Sequence, residues 1–159
     1  VVGVVGVLIG ALATDLIMVR TLARRMLLES VAGGEVASVS EALQREAKSQ
    51  GWSIPKVHDL KQTLAKHGYS VLDAQVLELC RPELANEILK RGAERVVSAL
   101  MPCRIAVYAK PDGRTYVSRL NSRLMSKLLG GVVHQVMSDA ARRSEELITS
   151  VSRDGNAEK

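Results

Sequence analysis

Two cysteines in 159 residues are too few for a secreted scaffold held by disulfides, so a reducing compartment suits the chain, and the length allows one domain plus an appendage. Phe is absent and aromatics make up 3%, which leaves Leu, Val, Ile, Ala and Met to build the core. A net charge of +5 favours an anionic partner such as a membrane surface, but no nucleic acid is expected, because no basic run is interleaved with aromatics and no recognition-helix pattern occurs.

Residues 1–19 are apolar except for Thr14 and Asp15. As a helix they rise about 28 Å, close to the hydrocarbon thickness of a bilayer, which predicts one N-terminal transmembrane helix. A cleaved signal peptide is the rival reading, but no clear small-residue cleavage site precedes Arg20, Arg24 and Arg25. By the positive-inside rule these arginines make a single-pass protein of the cell membrane with its main domain in the cytoplasm. Gly3, Gly6, Gly10, Ala13 and Thr14 fall within about 100° of helical arc. Gly6 and Gly10 form a GxxxG pair, which favours self-association in lipid, although glycine is common in membrane helices anyway. Asp15 lies about 140° from Gly10, off that stripe, where it can snorkel or pair with an arginine of a neighbouring copy.

The membrane and juxtamembrane helix is expected over 1–29, with Met26-Leu27-Leu28 continuing it. A linker containing Gly33-Gly34 follows over 30–37, then the main domain over 38–151 and a polar tail over 152–159. Ser38 and Glu41 have capping-box spacing. Val39, Ala42, Leu43 and Ala47 make the apolar face of a helix that Gly51 stops. Trp52 is expected as a packing anchor, since one aromatic makes no nucleic-acid platform. A second helix is predicted over 57–67 with Val57, Leu60 and Leu64 on one face. His58 and His67 then fall on opposite sides and cannot chelate one metal together.

Residues 71–80 predict a strand, with Val76, Leu77 and Leu79 at its apolar end. Pro82 suits the first turn of a helix, Glu83 suits the positive end of its dipole, and Gly92 terminates it. Strands over 103–109 and 115–120 flank Pro111-Asp112-Gly113, a turn by its chemistry. Asn121 is a natural N-cap for a long helix with Leu124, Leu128, Val132 and Met137 as core candidates. Within it, Gly130 and Gly131 either permit close approach of another copy's backbone or mark a kink or break.

Cys80-Arg81-Pro82-Glu83-Leu84-Ala85, the run from Met101-Pro102-Cys103 to Tyr108, and Asp112-Gly113 carry a resemblance. Together with Gly51-Trp52 and the Leu60 to Leu64 spacing, they resemble the prokaryotic domain-of-unknown-function family 302, over roughly residues 38–147. Arg81 stands where that family often has asparagine. The resemblance implies an α+β fold, an antiparallel sheet with helices packed on it, usually self-associating, and it implies no activity. The layout is similar to that of members with an N-terminal hydrophobic helix.

Cys80 lies just before a predicted helix N-terminus and beside Arg81, two features that favour a thiolate. Cys103 follows Pro102 at the start of a strand. Three readings of the pair stand open. They are small buried hydrophobes, a reactive thiol or dithiol that carries sulfur or electrons, or part of a soft-metal or haem site with Met101, Met125, His134 or Met137. No phosphate-binding glycine loop, serine-nucleophile motif or paired carboxylates occur, so the sequence supports no enzyme. The expectation is a membrane-tethered homo-oligomer whose cytoplasmic domain binds a small ligand or a protein partner. Thiol chemistry at Cys80 and Cys103, and haem or metal binding, are the alternatives.

Overall fold

Five short segments, most of them rich in β-formers, pair into one antiparallel sheet in the order β1-β5-β4-β3-β2. The strands are β1 (Leu27–Ala32), β2 (Val57–Asp59), β3 (Ala74–Leu79), β4 (Cys103–Ala109) and β5 (Thr115–Leu120). The computed structural model describes residue 14, residues 18–22 and residues 24–157, the last five through their helical backbone. The expected Gly3, Gly6 and Gly10 stripe and Asp15 lie outside the described residues. Among the described residues no helix is long and apolar enough to cross a membrane.

Side chains alternate along each strand, and one face of the sheet carries Leu77, Leu79, Ile105, Val107 and Val117, all buried. Helices α1 (Val36–Ser49) and α5 (Gly131–Ala157) pack on that face. From α1 come Val36, Val39, Leu43 and Ala47, spaced as one helical stripe, and from α5 come Ala140, Leu147 and Ile148. The opposite face bears Glu29, Arg104, Tyr108 and Tyr116, the two tyrosine rings stacked with centroids 6.1 Å apart. Past the end of β3 come α3 (Pro82–Leu89) and a 3₁₀ helix (Ala93–Leu100). Ile88 and Val97 from these meet Val133 of α5 in a second, smaller core. The main sheet and its helices are therefore the α+β arrangement that the family resemblance implied.

Three expectations are corrected. Residues 26–28 do not continue a helix and 30–37 is not simply a linker, because Leu27–Ala32 is an edge strand paired residue for residue with β5, Leu27 opposite Leu120 and Ala32 opposite Thr115. An open ladder edge on β5 offers partners for every backbone polar group there, and Ala32 gains a place in the core. Helix α1 starts at Val36 with Glu35 at its N-cap, so Ser38 sits inside the helix and forms no capping box. The helix expected over 57–67 splits into β2 and the short α2 (Leu60–Ala65). Val57 pairs with Leu77 on the free edge of β3, and Asp59 then caps α2 by accepting the Gln62 N–H at 2.8 Å.

Asn121 caps α4 (Ser122–Leu129) as expected, its side chain accepting the Leu124 N–H at 3.1 Å. The long helix breaks at the glycine pair. Gly130 ends α4 at φ 66°, ψ −170°, backbone that only glycine adopts readily. A Cβ on Gly130 or Gly131 would meet nothing within 4 Å, so within this chain the pair serves conformation and not close packing. Gly130→Ala is expected to destabilise the fold by about 1–3 kcal/mol, measured by urea unfolding. An unchanged unfolding midpoint would contradict this account of the break.

Candidate functional site

The site begins with the way α1 stops. Gly51, at φ 81°, turns the chain out of the helix, with its N–H bonded to the Lys48 carbonyl and the Trp52 N–H bonded to the Ala47 carbonyl. This paired closure satisfies the last carbonyls and swings Trp52 back into the core, where it is 4% exposed. Ser53 then forms an isolated bridge with Cys80, through Ser53 N to Cys80 O at 2.8 Å and Cys80 N to Ser53 O at 2.9 Å. The Ser53 hydroxyl donates to the same Cys80 carbonyl at 3.0 Å. Two contacts far apart in sequence thus bring Trp52 beside the exit of β3.

Arg81 follows as the N-cap of α3, with Pro82 in the first turn. Its guanidinium lies 5.6 Å from the centre of the Trp52 ring, a cation–π contact. Its Nη2 passes 3.4 Å from where a Cβ on Gly51 would stand, so the bare glycine leaves room for it. Arg81 Nε donates to Glu83 at 2.8 Å, and the Arg81 side chain is only 16% exposed. Glu83 is held below its ordinary carboxylate range by its own backbone N–H and by Arg81. Trp52 Nε1 is buried with no acceptor among the described residues. A buried donor left unmade costs about 1–3 kcal/mol, so such atoms mark places where a partner is lacking.

Trp52, Cys80 and Arg81 help to wall a cavity of about 350 Å³ at the end of the sheet, within the usual size of small-molecule sites. It lies where β3 leaves and β4 enters, next to the second core. Cys80, Arg81, Met101, Pro102 and Cys103 all line it, as does Met137 from α5. Leu84, Ile88 and Val97 supply much of its apolar wall, and Arg104 and Arg119 also contribute. Arg119 is engaged with Glu145 and donates to the Ser30 hydroxyl at 3.0 Å. The Met101–Pro102 peptide is cis.

Both thiols are free. Leu79 pairs with Cys103, so Cys80 sits one step further along the neighbouring strand. Burial pushes the Cys103 thiol above its ordinary value, and the nearby Cys80 adds to the effect. That environment protects a thiol and does not activate it.

The expected haem or metal set is not assembled. Met101 and Met137 line the cavity, but His134 does not. His134 Nδ1 lies 3.0 Å from the Ser126 hydroxyl, which itself donates to the Arg123 carbonyl at 3.0 Å, and Ser138 Oγ completes the group 3.3 Å from Ser126. This pins α4 to α5. Among the described residues no group of three or more His, Cys, Asp or Glu is placed to hold a metal ion. Pro82 shapes the start of α3, and Gly130 and Gly131 lie at the α4–α5 junction, away from the cavity lining.

Sequence reasoning placed the cysteine, arginine and proline cluster but missed Trp52, Arg104 and Arg119 as wall residues. The Gly51-Trp52 stop was the available signal for Trp52. Nothing local marks Arg119, which is brought in only because β5 lies beside β4.

The profile described as "Domain of unknown function DUF302" matches residues 29–151. A solved structure titled "Crystal structure of uncharacterized conserved protein DUF302 from Bacillus stearothermophilus" is similar, with a TM-score of 0.71 and 16% identity. The match covers 79% of this chain and 98% of that one, and at that identity it shows the fold alone. Among curated proteins none matches the chain.

In a Cys80→Ser variant, Cys103 is expected to react with iodoacetamide at pH 7 at least about tenfold more slowly than free cysteine, and faster as pH rises and its thiolate forms. A rate at pH 7 equal to or above that of free cysteine would contradict the protected environment.

Proposed function

The chain belongs to DUF302, a family of unknown function, and from that premise we propose that it is a binding protein that holds a small, largely apolar ligand in the cavity at the end of its sheet. The observation that carries this reading is the cavity itself, about 350 Å³ and walled mainly by apolar side chains. The space is a partly open cleft between two packed clusters, and a concave, mostly apolar cleft of this size is the usual form of a small-molecule site. The convergence of a few polar groups on an apolar wall is the usual composition of a ligand site.

Thiol chemistry at Cys80 and Cys103 is the weaker reading. The two residues share the cavity wall, but the raised Cys103 thiol suits a packed side chain better than a nucleophile.

Trp52 is the only tryptophan and lines the cavity, so its fluorescence reports occupancy. Titration with decanol, below the concentration at which it separates from water, is expected to give a saturable change in Trp52 emission. Ala85→Phe, which fills the space from α3, is expected to abolish that change while the protein stays folded by circular dichroism. No saturable change in the wild-type protein would contradict the reading.

The apolar 1–19 stretch and Arg20, Arg24 and Arg25 support a second part of the proposal. They tether the domain to the cell membrane, its body on the cytoplasmic side. The Gly3, Gly6 and Gly10 spacing supports self-association of that tether. Light scattering of the chain in mild detergent is expected to give more than one copy per particle. A strict monomer would contradict the self-association.

A further inference from the structure

The cavity wall is one-sided in charge. Arg81, Arg104 and Arg119 contribute to it, and no Asp or Glu does. The three arginines are not equivalent. Arg119 spends its guanidinium on Glu145 and Ser30. Arg104 is largely exposed and stands 3.8 Å from Glu78. Arg81 is mostly buried and bonds through Nε alone, and no acceptor among the described residues takes its two Nη groups. Beside it the Trp52 indole, itself 4% exposed, has a buried Nε1 with no acceptor among the described residues. Behind it is the N-terminus of α3, whose dipole presents its positive end.

A guanidinium edge without a protein partner, next to a buried indole N–H that lacks an acceptor, aims donors from two side chains at one place. The fork matches a planar carboxylate, which takes two parallel N–H bonds. Arg81 is already paired with Glu83 through Nε, so what its Nη edge adds is a pair of directed donors, which suits a monoanionic carboxylate better than a dianionic phosphate. Most of the remaining wall is apolar, with Leu84, Ile88, Val97 and Met137 among its side chains. We propose that the cavity takes a small amphipathic carboxylate, its chain against that apolar wall and its carboxylate received by Arg81 beside the Trp52 indole. The proposal rests on the binding reading above and names the chemistry of the ligand's head group.

The test compares ligands of equal chain length on the intact protein at low ionic strength, below their micelle concentrations. Trp52 fluorescence is the readout, with calorimetry as the second. Decanoate is expected to bind about tenfold more tightly than decanol, the usual effect of hydrogen bonds to a charged group. Decyltrimethylammonium is expected to bind no better than decanol. Arg81→Gln is expected to erase the decanoate advantage and to leave decanol binding in place, and Arg81→Lys to restore part of it. Equal binding of decanoate and decanol overturns the head-group assignment and leaves the cavity reading intact. Tighter binding of decyl phosphate than of decanoate overturns the choice of carboxylate. No binding of any of them overturns both readings. Should Arg81→Gln fail to fold, the comparison of ligands on the wild-type protein still decides.

Discussion

The pairing of β3 with β4 holds the rest of the structure in place. Its register sets Leu79 opposite Cys103, so the exit of one strand and the entrance of the other meet at one point. Because side chains alternate, the same register buries Leu77, Ile105 and Val107 on one face. A slip of one residue would turn those side chains to solvent and separate the groups at the strand ends. Core and site therefore depend on one alignment.

Everything at the strand ends follows from what the chain must do when the ladder stops. Backbone groups there need partners. Cys80 finds them in Ser53, which arrives from the end of α1 through the Gly51 turn. The same connection delivers Trp52 and seats Arg81 over it. Beyond β3 the chain cannot continue in the sheet, and Pro82 starts α3 with its φ already suited to a helix. The helix and the 3₁₀ turn after it build a second small core with α5. The cavity is the space between that core and the end of the first. Among its polar groups, the Trp52 N–H and the Arg81 Nη edge are the ones that the strand-end connections leave without a protein partner.

Elements whose cause is local were legible in the sequence. The hairpin from Cys103 to Leu120 follows from Pro111-Asp112-Gly113, and the start of α4 follows from Asn121. The edge strands were not legible. Leu27–Ala32 and Val57–Asp59 become strands because β5 and β3 present open edges to them, and those partners lie 16 or more positions away in sequence. Their own residues are equally consistent with a helix, so propensity gave way to tertiary pairing. The same distinction divides the site. Cys80, Arg81, Met101, Pro102 and Cys103 stand out as strand-end residues, and Arg104 follows Cys103 directly, whereas Arg119 joins the wall only through sheet order. His134 looked like a metal ligand beside Met137, but the break at Gly130 folds α4 back and gives that histidine the hydroxyls of Ser126 and Ser138.

The central claim is that the space beside Trp52 and Arg81 receives an anionic acceptor. The most direct measurement is the ¹H–¹⁵N spectrum of the protein, in which the single tryptophan gives one indole Nε1–H signal. Adding decanoate is expected to move that signal downfield as the N–H gains an acceptor, with accompanying shifts at Arg81 and along α3. An indole signal that stays in place while decanoate shifts residues elsewhere, such as the open face around Tyr108 and Tyr116, would contradict the account.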